Sequence, residues 1–259
     1  MIFFKITLPV FLIIGCLVCN IAGTAQANRF SYNKYASATG DTLLYRQLFP
    51  DNDATQKYPL VIFLHGSGER GNDNEAQLKW GVLNFATDEM MSKHPAFVVA
   101  PQCPLNVSWS SFTKASNGTG LSLQPVPSKP MTLLIALINQ LKKTLPVDTN
   151  RIYITGLSMG GYGTFEIVER YPHLFAAAVP VCGGGDTSKA ASIAHVPMWL
   201  FHGGNDPSVN PQNSLDMVNA LTKAGAHVGF TQYPQVGHFS WLAAYSDASM
   251  IEWLFKQHQ

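Results

Sequence analysis

Short, almost continuous apolar runs punctuate the chain at Leu60–Leu64, Ala96–Ala100, Arg151–Thr155, Ala176–Val181 and Pro197–Phe201, bounded by Gly, Pro or Asn. They lack the alternation of a half-exposed strand, and that is the pattern of parallel strands buried on both faces. Thr42–Leu48 predicts an earlier antiparallel strand and Val228–Tyr233 a later one. Between the runs the apolar spacing lengthens to three and four residues. Leu134, Leu137, Ile138, Leu141 and Leu145 predict a helix over Met131–Leu145, with Ser128 and Pro130 as start signals and Pro146 beyond its end. Leu215, Val218 and Leu221 predict a helix over Gln212–Ala224, stopped by Gly225. Tyr162–Tyr171 and Ala244–Lys256 complete the helical segments, while Asn106–Lys129 reads as one long irregular stretch rich in Ser, Gly and Pro. Strands alternating with helices imply an open, mostly parallel sheet covered on both faces.

Composition narrows the function classes. With 46% hydrophobic and 13% charged residues in a chain of 259, disordered and low-complexity classes are excluded. A net charge of +1 gives no reason to expect a nucleic-acid groove or a patch for anionic membranes.

The first residues are read as a secretory signal peptide. Lys5 supplies a positive charge, Leu8–Val18 an apolar run, and Thr24-Ala25-Gln26-Ala27 small residues at a cleavage site. The expected organisation is therefore a leader over 1–27 and one catalytic domain over 28–259, exported to the periplasm or the medium, with no stable membrane insertion after processing. The alternatives are an uncleaved anchor, for which the run is shorter than the ~20 residues of a span, and lipid attachment at Cys16. Cleavage leaves Cys103 and Cys182, each just past a strand run, too few to make a disulfide scaffold. They are expected to be unpaired.

Three places carry chemistry. Gly156-Leu157-Ser158-Met159-Gly160-Gly161 follows a strand run and precedes a helix. G-x-S-x-G in that context is a nucleophile elbow, which lifts the Ser158 hydroxyl above the sheet and turns the Met159 N–H towards a developing oxyanion. His202-Gly203-Gly204-Asn205-Asp206 follows the Pro197–Phe201 run, where Asp206 can hold an imidazole in its useful tautomer. Asp186 and Asp216 are weaker candidates for that acid. Gly237-His238-Phe239-Ser240-Trp241 follows the last strand run, with His238 as the base. His65 and His202, in His-Gly turns, are read as structural. The order Ser158, Asp206, His238 makes the three readings support one another. Metal spacings such as H-E-x-x-H and the phosphate-binding G-x-x-x-x-G-K-[ST] loop do not occur, and neither cofactor nor metal is expected.

The chain resembles the α/β-hydrolases, in particular a secreted esterase and depolymerase group with polyhydroxyalkanoate depolymerase-like, feruloyl esterase-like and acetylxylan esterase-like members, some labelled peptidases. The resemblance rests on Leu64-His65-Gly66-Ser67-Gly68-Glu69-Arg70-Gly71, Ala100-Pro101-Gln102-Cys103-Pro104, the elbow, Val181-Cys182-Gly183-Gly184-Gly185-Asp186, His202–Asp206 and Gly237–Trp241. It implies an α/β-hydrolase fold, the triad Ser158, Asp206 and His238, and a second oxyanion donor at the Ser67 N–H. Many such enzymes carry a cap domain after the strand that follows the nucleophile helix. Only Gly183–Val196 is available here, so an open cleft is expected, bordered by Asn106–Lys129. Trp109, Phe112 and Trp241 are candidate flat contacts for substrate, their alternative being packing beneath a loop. The expected partner is a small or polymer-attached ester, with short acyl or hydroxycinnamoyl groups favoured. A serine peptidase, an acyltransferase and a non-catalytic binding protein stay open as alternatives.

Overall fold

A computed structural model describes residues 23–51, 55–115 and 120–259, so most of the expected leader lies outside the described residues. Its strands are β1 (Phe30–Ala36), β2 (Thr42–Leu48), β3 (Tyr58–Leu64), β4 (Phe97–Pro101), β5 (Phe112–Lys114), β6 (Leu121–Leu123), β7 (Val147–Leu157), β8 (Ala177–Val181), β9 (Trp199–Gly203) and β10 (Gly229–Tyr233). Eight of them form one sheet in the order β1-β2-β4-β3-β7-β8-β9-β10. β1 and β2 are antiparallel, β2 joins β4 antiparallel, and from β4 to β10 every pairing is parallel. This is the α/β-hydrolase architecture.

The unalternating runs have a direct cause. Along β3, Leu60, Ile62 and Leu64 enter one core while Val61 and Phe63 enter the other, and the whole strand is buried. The first core is closed by α2 (Lys129–Thr144), α3 (Met159–Arg170) and α5 (Gln212–Lys223), through residues such as Leu134, Ile138, Phe165 and Met217. The second is closed by α6 (Trp241–Ser246) and α7 (Ala248–Lys256), through Tyr245, Ile251 and Leu254. α1 (Asp88–Lys93) and α4 (Ala190–Ile193) are short connectors. Among the described residues no helix is long and apolar enough to cross a membrane.

Two sequence expectations are corrected. Ala244–Lys256 is not one helix: Asp247 interrupts it and caps α7 by accepting from the Ser249 N–H at 2.8 Å. A short carboxylate competes with the backbone inside a helix and is better used at its start. The Asn106–Lys129 stretch is not irregular throughout, because β5 and β6 pair as an antiparallel ribbon. Charge and hydrogen bonds hold this segment down. Buried Glu166 on α3 accepts from the Ser111 N–H at 2.5 Å and from Arg170 Nε at 2.8 Å. The same arginine donates to the Gln124 carbonyl at 2.7 Å, and Asp186 accepts from the Leu123 N–H at 2.9 Å. Between β8 and β9 there is a 3₁₀ turn, Thr187–Lys189, and the single turn of α4, with no cap domain.

Cys103 and Cys182 are both buried and free. They follow β4 and β8 on the same edge of the sheet, but β3 and β7 run between those strands. Three strand spacings amount to roughly 14 Å, twice the reach of a disulfide.

His65, just past β3, locks the loop that leads to Ser67. Its Nδ1–H donates to the Gly66 carbonyl at 2.6 Å and its Nε2 accepts from the Cys103 N–H at 2.9 Å, tying the ends of β3 and β4 together. Its own carbonyl accepts from Trp109 Nε1 at 3.2 Å. Burial lowers the imidazole pKa to about 4, which keeps the ring neutral in this role. Because the unfolded state then binds the extra proton between pH 6.5 and 4, stability rises with pH across that window and falls as pH drops through it. We expect His65 to withdraw about 2–3 kcal/mol of stability between pH 7 and pH 4.5. His65→Gln, which can donate and accept in the same places, should flatten that part of the profile. Urea unfolding of both proteins at the two pH values checks this, and parallel pH dependences would contradict it.

Candidate active site

The site stands at the carboxyl ends of β7, β9 and β10, where an open parallel sheet presents its loops. Ser158 sits between β7 and α3 with φ 55° and ψ −117°, a conformation an L-residue adopts only when its surroundings impose it. The surroundings are backbone. A Cβ on Gly160 would strike the Leu64 and His65 carbonyls, and one on Gly156 would meet the Gly160 carbonyl. Ser158 N–H donates to the Val181 carbonyl at 2.9 Å, which ties the turn to β8.

The loops after β9 and β10 are joined by their own backbones: Gly204 N–H donates to Tyr233 O at 2.8 Å and Asn205 N–H to Val236 O at 3.0 Å. That brings Asp206 and His238 together. His238 Nδ1 lies 2.7 Å from Asp206 Oδ2, and His238 Nε2 lies 3.0 Å from Ser158 Oγ. Three residues separated by up to 80 positions thus form one hydrogen-bonded line. Asp206 Oδ1 accepts from the Ser208 and Val209 N–H groups at 2.8 and 2.9 Å. Burial pushes the Asp206 pKa up, but the His238 bond and those two N–H groups outweigh it, and the carboxyl is held below its ordinary value. It is an anion aimed at the imidazole.

Met159 is the first residue of α3, so its N–H belongs to a helix N-terminus. Ser67 opens the 3₁₀ turn Ser67–Glu69 and is exposed. The two segments touch, since a Cβ on Gly66 would lie 2.8 Å from Leu157 Cδ1. The weaker acid candidates are spent elsewhere. Asp186 caps the Thr187–Lys189 turn, accepting from the Ser188 N–H at 2.9 Å. Asp216 accepts from Gln212 along α5.

The aromatic expectations divide. Trp109 is fully buried, its ring 5.3 Å from that of His65, so it supports the His65 loop and offers no surface to a substrate. Trp241 is also buried but packs edge-on to His238 at 5.0 Å, fixing the imidazole from behind. Phe112 is half-buried and packs against the core. The exposed aromatic at the site is Phe239, in contact with Trp80 and Trp241 at 6.1 and 4.7 Å between ring centres. Neither Phe239 nor Trp80 was singled out in the sequence. The position of Phe239 beside His238 was a usable signal, whereas Trp80, far away in the chain, carried none.

His202, expected to be structural, is fully buried against the same carboxylate. Its Nε2 lies 3.0 Å from the Val209 carbonyl and 3.4 Å from Asp206 Oδ2, and its Nδ1 pairs with Ser214 Oγ at 2.7 Å. Burial lowers its pKa, with the Val209 carbonyl and Asp206 opposing. Cys182 lies behind the triad at φ 40°, its thiol pushed up to about 12 by burial and therefore protonated. Among the described residues Cys182, Asp206 and His238 form the one group whose possible metal-ligating atoms lie within 4.8 Å of one another. Asp206 and His238 already use those positions for each other. A cavity of about 610 Å³, lined in part by Thr24, Tyr32, Arg46 and Asp73, includes none of the three triad side chains.

Residues 51–251 match the family described as phospholipase/carboxylesterase. A bifunctional acetylxylan esterase/xylanase of Neocallimastix patriciarum is 27% identical over 182 residues, covering 70% of this chain and 23% of that protein. The poly(3-hydroxyalkanoate) depolymerase C of Paucimonas lemoignei is 24% identical over 214 residues, covering 69% and 47%. The chain thus spans less than half the length of either relative. A solved thermostable esterase is 41% identical with a TM-score of 0.83, covering 91% of this chain and 64% of that one. The chain belongs to the phospholipase/carboxylesterase family, the carboxylic ester hydrolases of the α/β-hydrolase fold.

Proposed function

We propose that the chain is an exported serine esterase whose triad is Ser158, His238 and Asp206 and whose substrates are short-acyl or hydroxycinnamoyl esters. The observation that carries this reading is the unbroken line from Asp206 Oδ2 through His238 to Ser158 Oγ, with the serine on a strained turn beside a helix N-terminus. His238 Nε2 takes the Ser158 proton as Oγ bonds to the ester carbonyl carbon, and Asp206 stabilises the imidazolium. The Met159 and Ser67 N–H groups hold the oxyanion. The intermediate then expels the alkoxide, which receives the proton from Nε2 and departs as the alcohol. Water, deprotonated by the same nitrogen, attacks the acyl-enzyme, releases the acid and restores Ser158.

Substrate class follows from what covers the site. Among the described residues no cap stands between β8 and β9 to enclose a long acyl chain, and an uncovered edge admits an alcohol that is bulky or part of a polymer. The relatives named for acetylxylan and poly(3-hydroxyalkanoate) support an ester carried on a polysaccharide or polyester. Export rests on the composition of residues 1–27.

Ser158→Ala and His238→Ala are each expected to lower kcat about 10⁴-fold or more while the protein stays folded. Asp206→Asn should be comparably damaging and Asp186→Asn mild. A serine-directed phosphonate that labels any residue other than Ser158, or a larger loss from Asp186→Asn, would remove the triad assignment. On a panel of p-nitrophenyl esters of increasing length, methyl ferulate, acetylated xylan, polyhydroxybutyrate and peptide amides, kcat/KM should be highest for acetyl, butyryl or feruloyl esters. A maximum at twelve carbons or longer, or on an amide, contradicts the reading. N-terminal sequencing of protein made in a secreting host should begin at or next to Asn28, and an intact Met1 or an acylated Cys16 would overturn soluble export.

A further inference from the structure

Phe239 and Leu242 are 55% and 51% exposed although the chain has abundant core to place them in. Phe239 follows the imidazole directly, and Leu242 is three residues further on, in the first turn of α6. The exposure is built rather than accidental. Trp80 contacts Phe239 at 6.1 Å and Trp241 at 6.4 Å, and Trp241 packs on both Phe239 and His238. Trp80 also acts on the carboxyl of buried Glu69, opposing the upward push of burial on its pKa. Glu69 closes the 3₁₀ turn opened by Ser67, and Glu69 Oε2 lies 3.1 Å from where a Gly66 Cβ would stand. Trp80, Phe239 and Trp241 therefore form an aromatic ledge beside His238, with Phe239 as its open surface and exposed Leu242 one turn further on.

We propose that this ledge is the alcohol-side subsite and that it takes the apolar face of a sugar ring bearing the ester. The inference rests on the esterase reading above. Its direction comes from the chemistry: the proton on His238 Nε2 must reach the leaving oxygen, so the alcohol departs past the imidazole and meets the side chains flanking it. Its occupant comes from shape. An alkyl chain gains from enclosure on several sides, which an exposed ledge does not provide. A ring with one face of C–H groups and a rim of hydroxyls gains from a single flat aromatic contact and keeps its hydroxyls in water.

The test holds the acyl group constant and varies the alcohol. Ethyl acetate is compared with acetylated xylotriose for wild type, Phe239→Ala, Phe239→Trp and Trp80→Ala. Phe239→Ala should lower kcat/KM on the acetylated saccharide about 10-fold, mainly through KM, and leave ethyl acetate within about twofold. Phe239→Trp should restore the saccharide. Trp80→Ala should follow Phe239→Ala in direction. Equal losses on both esters would mean that the ledge only supports His238, and would overturn the proposal. So would an unchanged saccharide preference, or a loss that instead tracks acyl length from ethyl acetate to ethyl hexanoate. Ethyl acetate turnover that disappears in Ser158→Ala upholds the esterase reading even if the ledge fails. Wild type that cleaves neither ester sinks both.

Discussion

The site depends on a contact between backbones. Gly160, in the first turn after Ser158, lies against the Leu64 and His65 carbonyls with no space for a side chain. That approach forces Ser158 into its left-handed conformation and brings the start of α3 against the loop beyond β3. The two proposed oxyanion donors lie on those touching segments. A single methyl group would separate them, and an oxyanion hole has value only if its donors are in place before charge develops. The strain at Ser158 is sustained by the sheet beneath it, where β3 and β7 are buried along most of their length.

Three histidines at this edge show how environment sorts one side chain into different tasks. His65 is fully enclosed, is held neutral by burial and clamps two strand ends. His202 is just as enclosed and braces Asp206 together with the turn Asp206–Val209. His238 alone keeps part of its ring in solvent, with one nitrogen on a carboxylate and the other on a serine. His202 also pairs with a serine and the same carboxylate, but it is sealed from solvent, and exchanging a proton with a substrate requires access to one.

The surroundings of the proposed triad are as firmly built as the triad itself. The long segment before α2 reads as irregular in the sequence, but Glu166, Arg170 and Asp186 pin its described residues to the body. A buried carboxylate answered by an arginine and backbone N–H groups is costly to disrupt, so such a segment serves as a wall. Among the described residues nothing is inserted between β8 and β9 to cover the proposed site, which leaves its rim to a few exposed groups. One of these, the exposed Phe239, directly follows His238 in the chain.

Much of this was legible in the chain. Unalternating apolar runs announced strands buried twice over, and the three-to-four spacing announced the helices that cover them. The order of Ser158, Asp206 and His238 behind three such runs pointed to one edge of one sheet, because parallel strands present all their carboxyl ends together. Local chemistry of this kind is written in neighbouring residues. The role of Trp109 was not, since a tryptophan reads the same in a core as in a cleft until its neighbours are known. Nor was the break at Asp247, which competes with helix periodicity, or the pinning of the 106–129 segment by Glu166, which requires a helix face to meet a loop. The partnership of His202 with Asp206 and the ledge joining Trp80 to Phe239 likewise arise only when distant segments pack. The sequence by itself determined which strands, turns and reactive side chains exist and at which end of the sheet they emerge. Tertiary structure alone decided which of them touch, which are sealed from water and which remain open to substrate, because burial and contact belong to pairs of segments and not to either one.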